Sequence, residues 1–278
     1  MDTAAGDAVI AVSRLYAHYG DTAVLRDINF SVHSGEIMVI MGGSGSGKST
    51  LLRHLLGLQP PTSGSVQVLG ENIVTASGGR LTELRRKIGV AFQSGALFSS
   101  LTVGENIMLP LREHTHLDES TMRIMMRLKL DFVSLAGAED LMPAQLSGGM
   151  IKRAAMARAV VMDPKLVFLD EPSAGLDPVV AAALDELIMQ LRDVMGMSVV
   201  VVTHELESAF KIADRITVLD RGEILVCDTV AGVRAHPNER VQALLNRRSE
   251  HPDLNPEEYL RSLTGAPAGR GNRLHSRP

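Results

Sequence analysis

The run Gly42, Gly43, Ser44, Gly45, Ser46, Gly47, Lys48, Ser49 and Thr50 fits the pattern G-x-x-x-x-G-K-[S/T], with Gly42, Gly47, Lys48 and Ser49 in the fixed places. The chemistry such a run can do is to cradle a polyphosphate. Glycines let the backbone curl so that successive N–H groups point inward at an anion. A helix that starts where the loop ends aims its positive end at the same anion. Lys48 can then reach the β- and γ-phosphates of a nucleotide, and Ser49 can ligate Mg²⁺. A glycine-rich turn with a solvated lysine would have the same composition, so context has to separate the two. The apolar run Ile37–Met41 precedes the loop as a buried strand would, and Leu51, Leu52, Leu55 and Leu56 follow at helical spacing. That strand, loop and helix are what phosphate binding requires.

A second group with chemical potential is Asp170-Glu171, which closes the apolar run Leu166–Asp170. A strand parallel to the one before the loop would deliver both carboxylates to the same carboxyl edge, where ligands bind in such sheets. Asp170 would there hold Mg²⁺ through water, and Glu171 would orient or activate the water that attacks a terminal phosphate. A strand ending in a solvated acidic turn is common, but beside a phosphate loop the catalytic reading is preferred. A third group is Ser147-Gly148-Gly149-Met150. Ser147 is a good N-cap and the glycines expose N–H groups at the positive end of a helix. Taken alone, these residues read as an ordinary helix cap. As an anion site, they would serve a second chain: one chain cannot easily aim two helix N-termini at one γ-phosphate, whereas two chains packed head-to-tail can.

The elements that must position these groups follow from periodicity. Strands are expected over 10–16 and 24–32, joined by a turn at Tyr19-Gly20-Asp21, then at Ile37–Met41, 65–69 and 88–92, with a short helix over 81–87. From Gln93 the texture changes. Segments 103–111, 121–130 and 147–162 all have helical periodicity with no strand between them, so 94–162 is expected to be a helical subdomain inserted into an α/β core. Strands return at Leu166–Asp170 and Ser198–Thr203, with a helix over 179–195 between them. A terminal hairpin is expected over 215–219 and 223–228, and a helix over 238–247. Residues 265–278 are rich in Gly, Pro and Arg without periodicity and are expected to be disordered.

Bulk properties narrow the class. The chain has 278 residues, 45% hydrophobic and 22% charged, enough for one large α/β domain with a subdomain. A net charge of −4 gives no support for nucleic-acid binding. No apolar run approaches a membrane span, and residues 1–7 lack a signal-peptide core. Cys227 is the only cysteine, so no internal disulfide can form, which suits the cytosol.

The order of these motifs resembles the ABC-transporter ATPases over about 10–228: Tyr19, the phosphate loop, Gln93 after a strand, Leu146-Ser147-Gly148-Gly149, Asp170-Glu171, the stretch from Ser173 to Asp177, and His204 after a strand. The resemblance implies an α/β fold, with a P-loop NTPase core, an antiparallel β subdomain and the inserted helical subdomain. The ATPase domain would span 8–246, with a partly disordered extension over 247–278. It further implies that Tyr19 stacks on adenine, and that Gln93 contacts Mg²⁺ and reports nucleotide state. Ser173, Leu176 and Asp177 would touch the opposite protomer. His204 would contact the γ-phosphate and hold the catalytic water with Glu171. Two MgATP would be sandwiched in a homodimer attached to an integral-membrane permease.

One residue departs from the family. Met150 stands where Gln is usual after Ser-Gly-Gly, so a polar contact is lost while the backbone donors remain. With Phe92-Gln93-Ser94-Gly95-Ala96-Leu97-Phe98, Pro110-Leu111-Arg112-Glu113-His114-Thr115 and Asn238-Glu239-Arg240-Val241, it is similar to the ATPases of Mla/MCE-type lipid transporters. That branch implies phospholipid movement between the membranes of a bacterial envelope. It would be powered from the cytoplasmic face of the inner membrane, with an MCE-type lipid-binding protein and a small STAS-type subunit as partners. An ABC ATPase for another cargo, or a soluble one acting on ribosomes or DNA, is the alternative. The chain lacks the second cassette or long coiled coil usual in the latter. Other residues read as structure: His114 and His116 as a solvated loop, Met122, Met125 and Met126 as core filler. Leu97, Phe98 and Leu101 fit either subdomain packing or a grip on the permease.

Overall fold

The computed structural model describes residues 8–246; the expectations for 247–278, including the disordered tail and its Arg270, Arg273 and Arg277, lie outside the described residues. Two sheets organise the fold. β1 (Ala8–Tyr19), β2 (Thr22–His33), β4 (Ser63–Val68) and the short β5 (Glu71–Asn72) form an antiparallel sheet in the order β2-β1-β4-β5. β3 (Ile37–Met41), β6 (Ile88–Ala91), β7 (Leu166–Asp170), β8 (Ser198–Thr203), β9 (Arg215–Asp220) and β10 (Glu223–Thr229) form the second, in the order β10-β9-β3-β8-β7-β6. Its strands run parallel except β10, which pairs antiparallel with β9.

β3 is apolar throughout, and β7 and β8 are apolar except at their ends, because both of their faces are covered. Alternation then sends successive side chains to opposite cores. Met38, Ile40, Phe168, Val200 and Val202 join the core shared with the antiparallel sheet and with Leu51, Leu52 and Leu55 of α1 (Lys48–Leu55). Ile37, Val39, Met41, Val167, Leu169, Val199 and Val201 join the opposite core, which is continuous with the helices of the 94–162 segment.

Those helices are α3 (Val103–His114), α4 (Glu119–Phe132) and α5 (Gly148–Val160), following α2 (Gly78–Arg86). Each has a side-chain cap readable in the sequence. Thr102 and Glu105 form a reciprocal capping box on α3, Asp118 caps α4, and Ser147 accepts from the Met150 N–H at 3.3 Å on α5. Met122 and Met126 are buried, as expected. α5 also belongs to the parallel sheet: Gly89 on β6 is where its backbone passes, and a Cβ there would overlap the Ala159 carbonyl. α6 (Pro178–Asp193) connects β7 to β8, and α9 (Glu239–Leu245) lies near the end of the described chain. The sequence pattern did not foresee β5, nor the short helices α7 (Leu206–Ile212) and α8 (Val230–Arg234). β1 and β2 are also longer than expected, with register irregularities between Val12 and Leu15 that broke the alternation.

Candidate functional site

Parallel pairing fixes where the chemistry converges. Met41 at the end of β3 pairs with Thr203 at the end of β8, Asp170 on β7 pairs with Val202, and Ala91 on β6 pairs with Leu169. The four strand ends therefore open on one edge of the sheet. A cleft of about 490 Å³ at that edge is lined by Gly43, Ser44, Gly45, Lys48, Ser49, Gln93, Asp170, Glu171, Val202 and His204.

The loop after β3 has the shape of an anion cradle. Gly45 and Gly47 take φ of 75° and 107°, values closed to side chains. Gly42 is glycine for space: a Cβ there would overlap the Leu219 carbonyl of β9. α1 has no side-chain cap, so its first N–H groups are left to whatever lies in the cleft. Ser46 is buried, and its Oγ has no hydrogen-bond partner among the described residues. Lys48 Nζ donates to the carbonyls of Gly42 and Gly43 at 2.7 and 2.9 Å, arching over its own loop. Burial lowers the Lys48 pKa against the pull of Glu171 and Asp170. An uncapped helix end, a half-buried cation and a cradle whose turns at Gly42, Gly45 and Gly47 call for glycine fit a polyphosphate.

Glu171 is held from every side. Its φ of 47° is unusual for a side-chain-bearing residue, and its N–H donates to Val202 O at 2.8 Å. Thr203 Oγ1 donates to Oε2 at 3.1 Å, and His204 Nδ1 lies 2.8 Å from Oε1. Because a carboxylate only accepts, Nδ1 carries the proton in that bond. Glu171 is only 7% exposed. Next to it, burial first and the Glu171 charge second push the Asp170 pKa up. Ser49 and Gln93 line the same cleft and are exposed, so Ser49, Gln93 and Asp170 can offer oxygen ligands to a hard cation. Among the described residues no cluster of three or more His, Cys, Asp or Glu could hold a metal ion.

Tyr19 stands beside the phosphate loop over a shallower hollow of about 270 Å³ that it shares with Val24 and residues 45–50, Thr50 included. It is 44% exposed, and its hydroxyl donates to Gln59 Oε1 at 2.9 Å. Hydrogen bonding with Arg53 and Thr50 lowers its pKa. The fixed ring is available for stacking.

Ser147, Gly148 and Gly149 do not join this cleft. Ser147 and Gly148 are exposed at the uncovered end of α5. The Asp177 carboxylate caps α6, accepting from the N–H groups of Val179 and Val180 at 3.1 Å each. Ser173 is buried with an unpartnered Oγ, and Leu176 packs on the core.

Several contacts at the site were not visible in the sequence. Lys152 Nζ donates to the carbonyls of Gln93 and Glu171, the second at 2.8 Å. Arg158 donates to Ala96 O at 2.8 Å and Gly95 O at 2.9 Å. Buried Asn106 donates to the carbonyls of Phe98, Leu101 and Thr102 and accepts from the Phe98 N–H. Basic residues in a helix otherwise made of small and apolar ones could have flagged Lys152 and Arg158, but not their carbonyl partners.

Residues 25–174 match the family model described as ABC transporter. The chain is 37% identical to the intermembrane phospholipid transport system ATP-binding protein MlaF of Haemophilus influenzae, covering 92% of this chain and 98% of that protein. It is 39% identical to the MlaF protein of Escherichia coli K12, over 84% and 87% of the two chains. It is 40% identical to the probable ribonucleotide transport ATP-binding protein mkl of Mycobacterium tuberculosis, over 78% of this chain and 60% of that one. Among solved structures, the dimeric post-hydrolysis state of the ATP-binding cassette MJ0796 bound to ADP and Pi superposes with a TM-score of 0.74 at 31% identity, covering 80% of this chain and 98% of that one. The cbiO1 component of the Clostridium perfringens transporter complex superposes with a TM-score of 0.76 at 28% identity, over 92% and 99%. With its phosphate loop, carboxylate pair and cassette fold, the chain belongs to the ABC transporter family, as one of its ATP-binding, ATP-hydrolysing subunits.

Proposed function

We propose that the chain powers phospholipid transport between the inner and outer membranes of a bacterium, as a homodimer that sandwiches two MgATP. The observation that carries the cargo is the nearly end-to-end match with relatives named for intermembrane phospholipid transport. In this reading Tyr19 stacks on adenine. The loop from Gly42 to Thr50, with the Lys48 ammonium, holds the phosphates. Ser49, Gln93 and Asp170 hold Mg²⁺, which when bound draws charge from the phosphate oxygens. Glu171 accepts a proton from the attacking water, and His204, fixed by Glu171, faces the terminal phosphate. Ser147, Gly148 and Gly149 of one protomer complete the partner's site, with the stretch from Ser173 to Asp177 beside it. The exposure of the α5 N-terminus, away from the cleft of its own chain, supports that division. ATP then drives closure because it binds the closed dimer more tightly than the open one.

The chain works from the cytoplasmic face of the inner membrane, with an integral-membrane permease, an MCE-type lipid-binding protein and a small STAS-type subunit. In support, no helix among the described residues is long and apolar enough to cross a membrane. Phe92 and Phe98, on either side of the Gln93 loop, are 39% and 54% exposed and offer the permease an apolar grip. No nucleic acid is a partner. The ATPase domain spans 8–246, with the 94–162 insertion as its helical part and 247–278 as an extension.

The relatives named for ribonucleotide transport support a second reading, in which the cargo is a nucleotide. The test is to purify the complex from membranes through this chain, identify the co-purifying permease, and reconstitute it in phospholipid vesicles. ATP-dependent movement of labelled phospholipid is expected. Movement of a labelled ribonucleotide with none of lipid would overturn the cargo. Mixing inactive Ser147→Ala and Lys48→Ala chains should recover measurable turnover from the one intact site in each heterodimer. Heterodimers without any activity would refute the shared sites.

A further inference from the structure

The N-terminus of α5 and the clamp on Glu171 belong to the same helix. Ser147 and Gly148 are exposed at its start, half-buried Gly149 lies against Val180, and Lys152, one turn later, faces inward. Its ammonium bridges the backbone carbonyls of Gln93 and Glu171, which come from the ends of two different strands. Two turns further, Arg158 binds the carbonyls of Gly95 and Ala96 on the same loop. The loop from 93 to 96 is therefore hung on α5 at three carbonyls. Glu171 keeps its left-handed backbone because both flanks are pinned: its N–H by Val202, its carbonyl by Lys152. A short displacement of α5 along its axis would move both carbonyls together, and with them the catalytic carboxylate and the Gln93 side chain.

We infer that Lys152 is the positioning residue that couples the two ATP sites of the dimer. Contact of the α5 N-terminus with the nucleotide of the partner protomer fixes α5. Lys152 then carries that placement to Glu171 and Gln93 of its own site. Each protomer's hydrolysis is thereby set by occupancy of the other site. The inference rests on the sandwich dimer proposed above. It concerns Lys152 as a donor to two carbonyls, not as a group that touches ATP.

The test uses the full chain and measures ATP turnover against ATP concentration. For Lys152→Met, which keeps the stem and removes the donors, the maximal rate should fall about 10-fold or more while the half-saturating ATP concentration changes less than about threefold. The Hill coefficient should drop from above 1 in the parent to about 1. Lys152→Arg, which restores two-point donation, should recover both rate and cooperativity. A residue that merely holds the fold together would lower rate and melting temperature without changing the Hill coefficient. If Lys152→Met does not fold, Lys152→Gln, with a shorter donor, is scored the same way. A Lys152 variant as cooperative as the parent, or a parent with a Hill coefficient of about 1, would overturn the inference. ATP-dependent dimerisation of Glu171→Gln, followed by sedimentation, separates the two failures. A dimer that forms while Lys152 proves silent sinks the coupling alone. No dimer sinks the sandwich itself.

Discussion

Glu171→Gln is the substitution whose effect can be followed furthest. The amide is isosteric and its oxygen still accepts from His204 Nδ1, where the present contact is 2.8 Å. The new NH₂ faces Thr203 Oγ1 at 3.1 Å, and the hydroxyl can turn to accept. A hydrogen bond to a charged group is worth about 1.5–3 kcal/mol, and a neutral one about 0.5–1.5, so two weakened bonds together cost about 2–3 kcal/mol. Against that, a carboxylate only 7% exposed loses its desolvation penalty, and Asp170 loses the neighbouring charge that helps to raise its pKa. The two effects oppose each other, so the melting temperature should shift by no more than a few degrees and ATP binding should persist. Turnover is different. Losing the base costs about 10²- to 10⁴-fold. At about 1.36 kcal/mol per tenfold, that is roughly 3–5 kcal/mol of barrier, more than the net structural change. Phosphate release at saturating ATP reads the first quantity, and thermal melting with equilibrium ATP binding reads the second. A natively folded variant turning over within about threefold of the parent would refute the assignment of Glu171.

Lys48→Ala should abolish measurable ATP binding, read by equilibrium titration, because the cradle loses its half-buried cation; unchanged affinity refutes the reading. Tyr19→Phe should keep ATP affinity within about twofold and Tyr19→Ala should lower it about 10-fold, since a stacked ring contributes about 1–3 kcal/mol and the hydroxyl is already engaged by Gln59. Asp170, with its raised pKa, gives a pH prediction. The folded state holds this proton more tightly than the unfolded chain. The contribution of Asp170 to stability therefore falls as pH rises from the ordinary carboxylate value to the raised one, then stays flat. Asp170→Asn should raise the melting temperature of the nucleotide-free protein at neutral pH, and the gain should vanish below the ordinary carboxylate value. Mg²⁺ competes with the same proton. At limiting Mg²⁺, acidification should therefore weaken Mg²⁺ binding from a higher pH than an unperturbed carboxylate would dictate.

The parts of the fold legible in sequence were those with both faces buried. β3, β7 and β8 carry unbroken apolar runs, and their limits matched the expected ones. Ser147 announced its helix because a cap is a local device, whereas the helices capped by Thr102 and Asp118 were read from periodicity alone. What escaped was set by distant partners. The 7-residue α7 and 5-residue α8 are too short for a helical period to accumulate, and neighbouring elements hold them in place. Within the site, residue types and order pointed to Lys48, Asp170, Glu171 and His204. The bonds of Lys152, Arg158 and Asn106 end on carbonyls, which every residue has, so no side-chain pattern records them. The left-handed backbone of Glu171 was equally hidden, because a tertiary network imposes it on a residue with no preference for it.

The turn between β9 and β10 braces the phosphate loop from behind. Gly222 donates to the Ser46 carbonyl at 2.9 Å and accepts from the Arg26 N–H of β2 at 2.8 Å, so one chain of hydrogen bonds runs from the antiparallel sheet to the cradle. Tyr19 ends the strand that pairs with β2. The Tyr19 platform beside the cleft and the cradle within it are thus riveted to a common frame, while the carboxylates ride on β7. In the proposed reading, a nucleotide seated on platform and cradle presents its last phosphate toward β7, so the spacing between this frame and the carboxylates measures the length of the ligand.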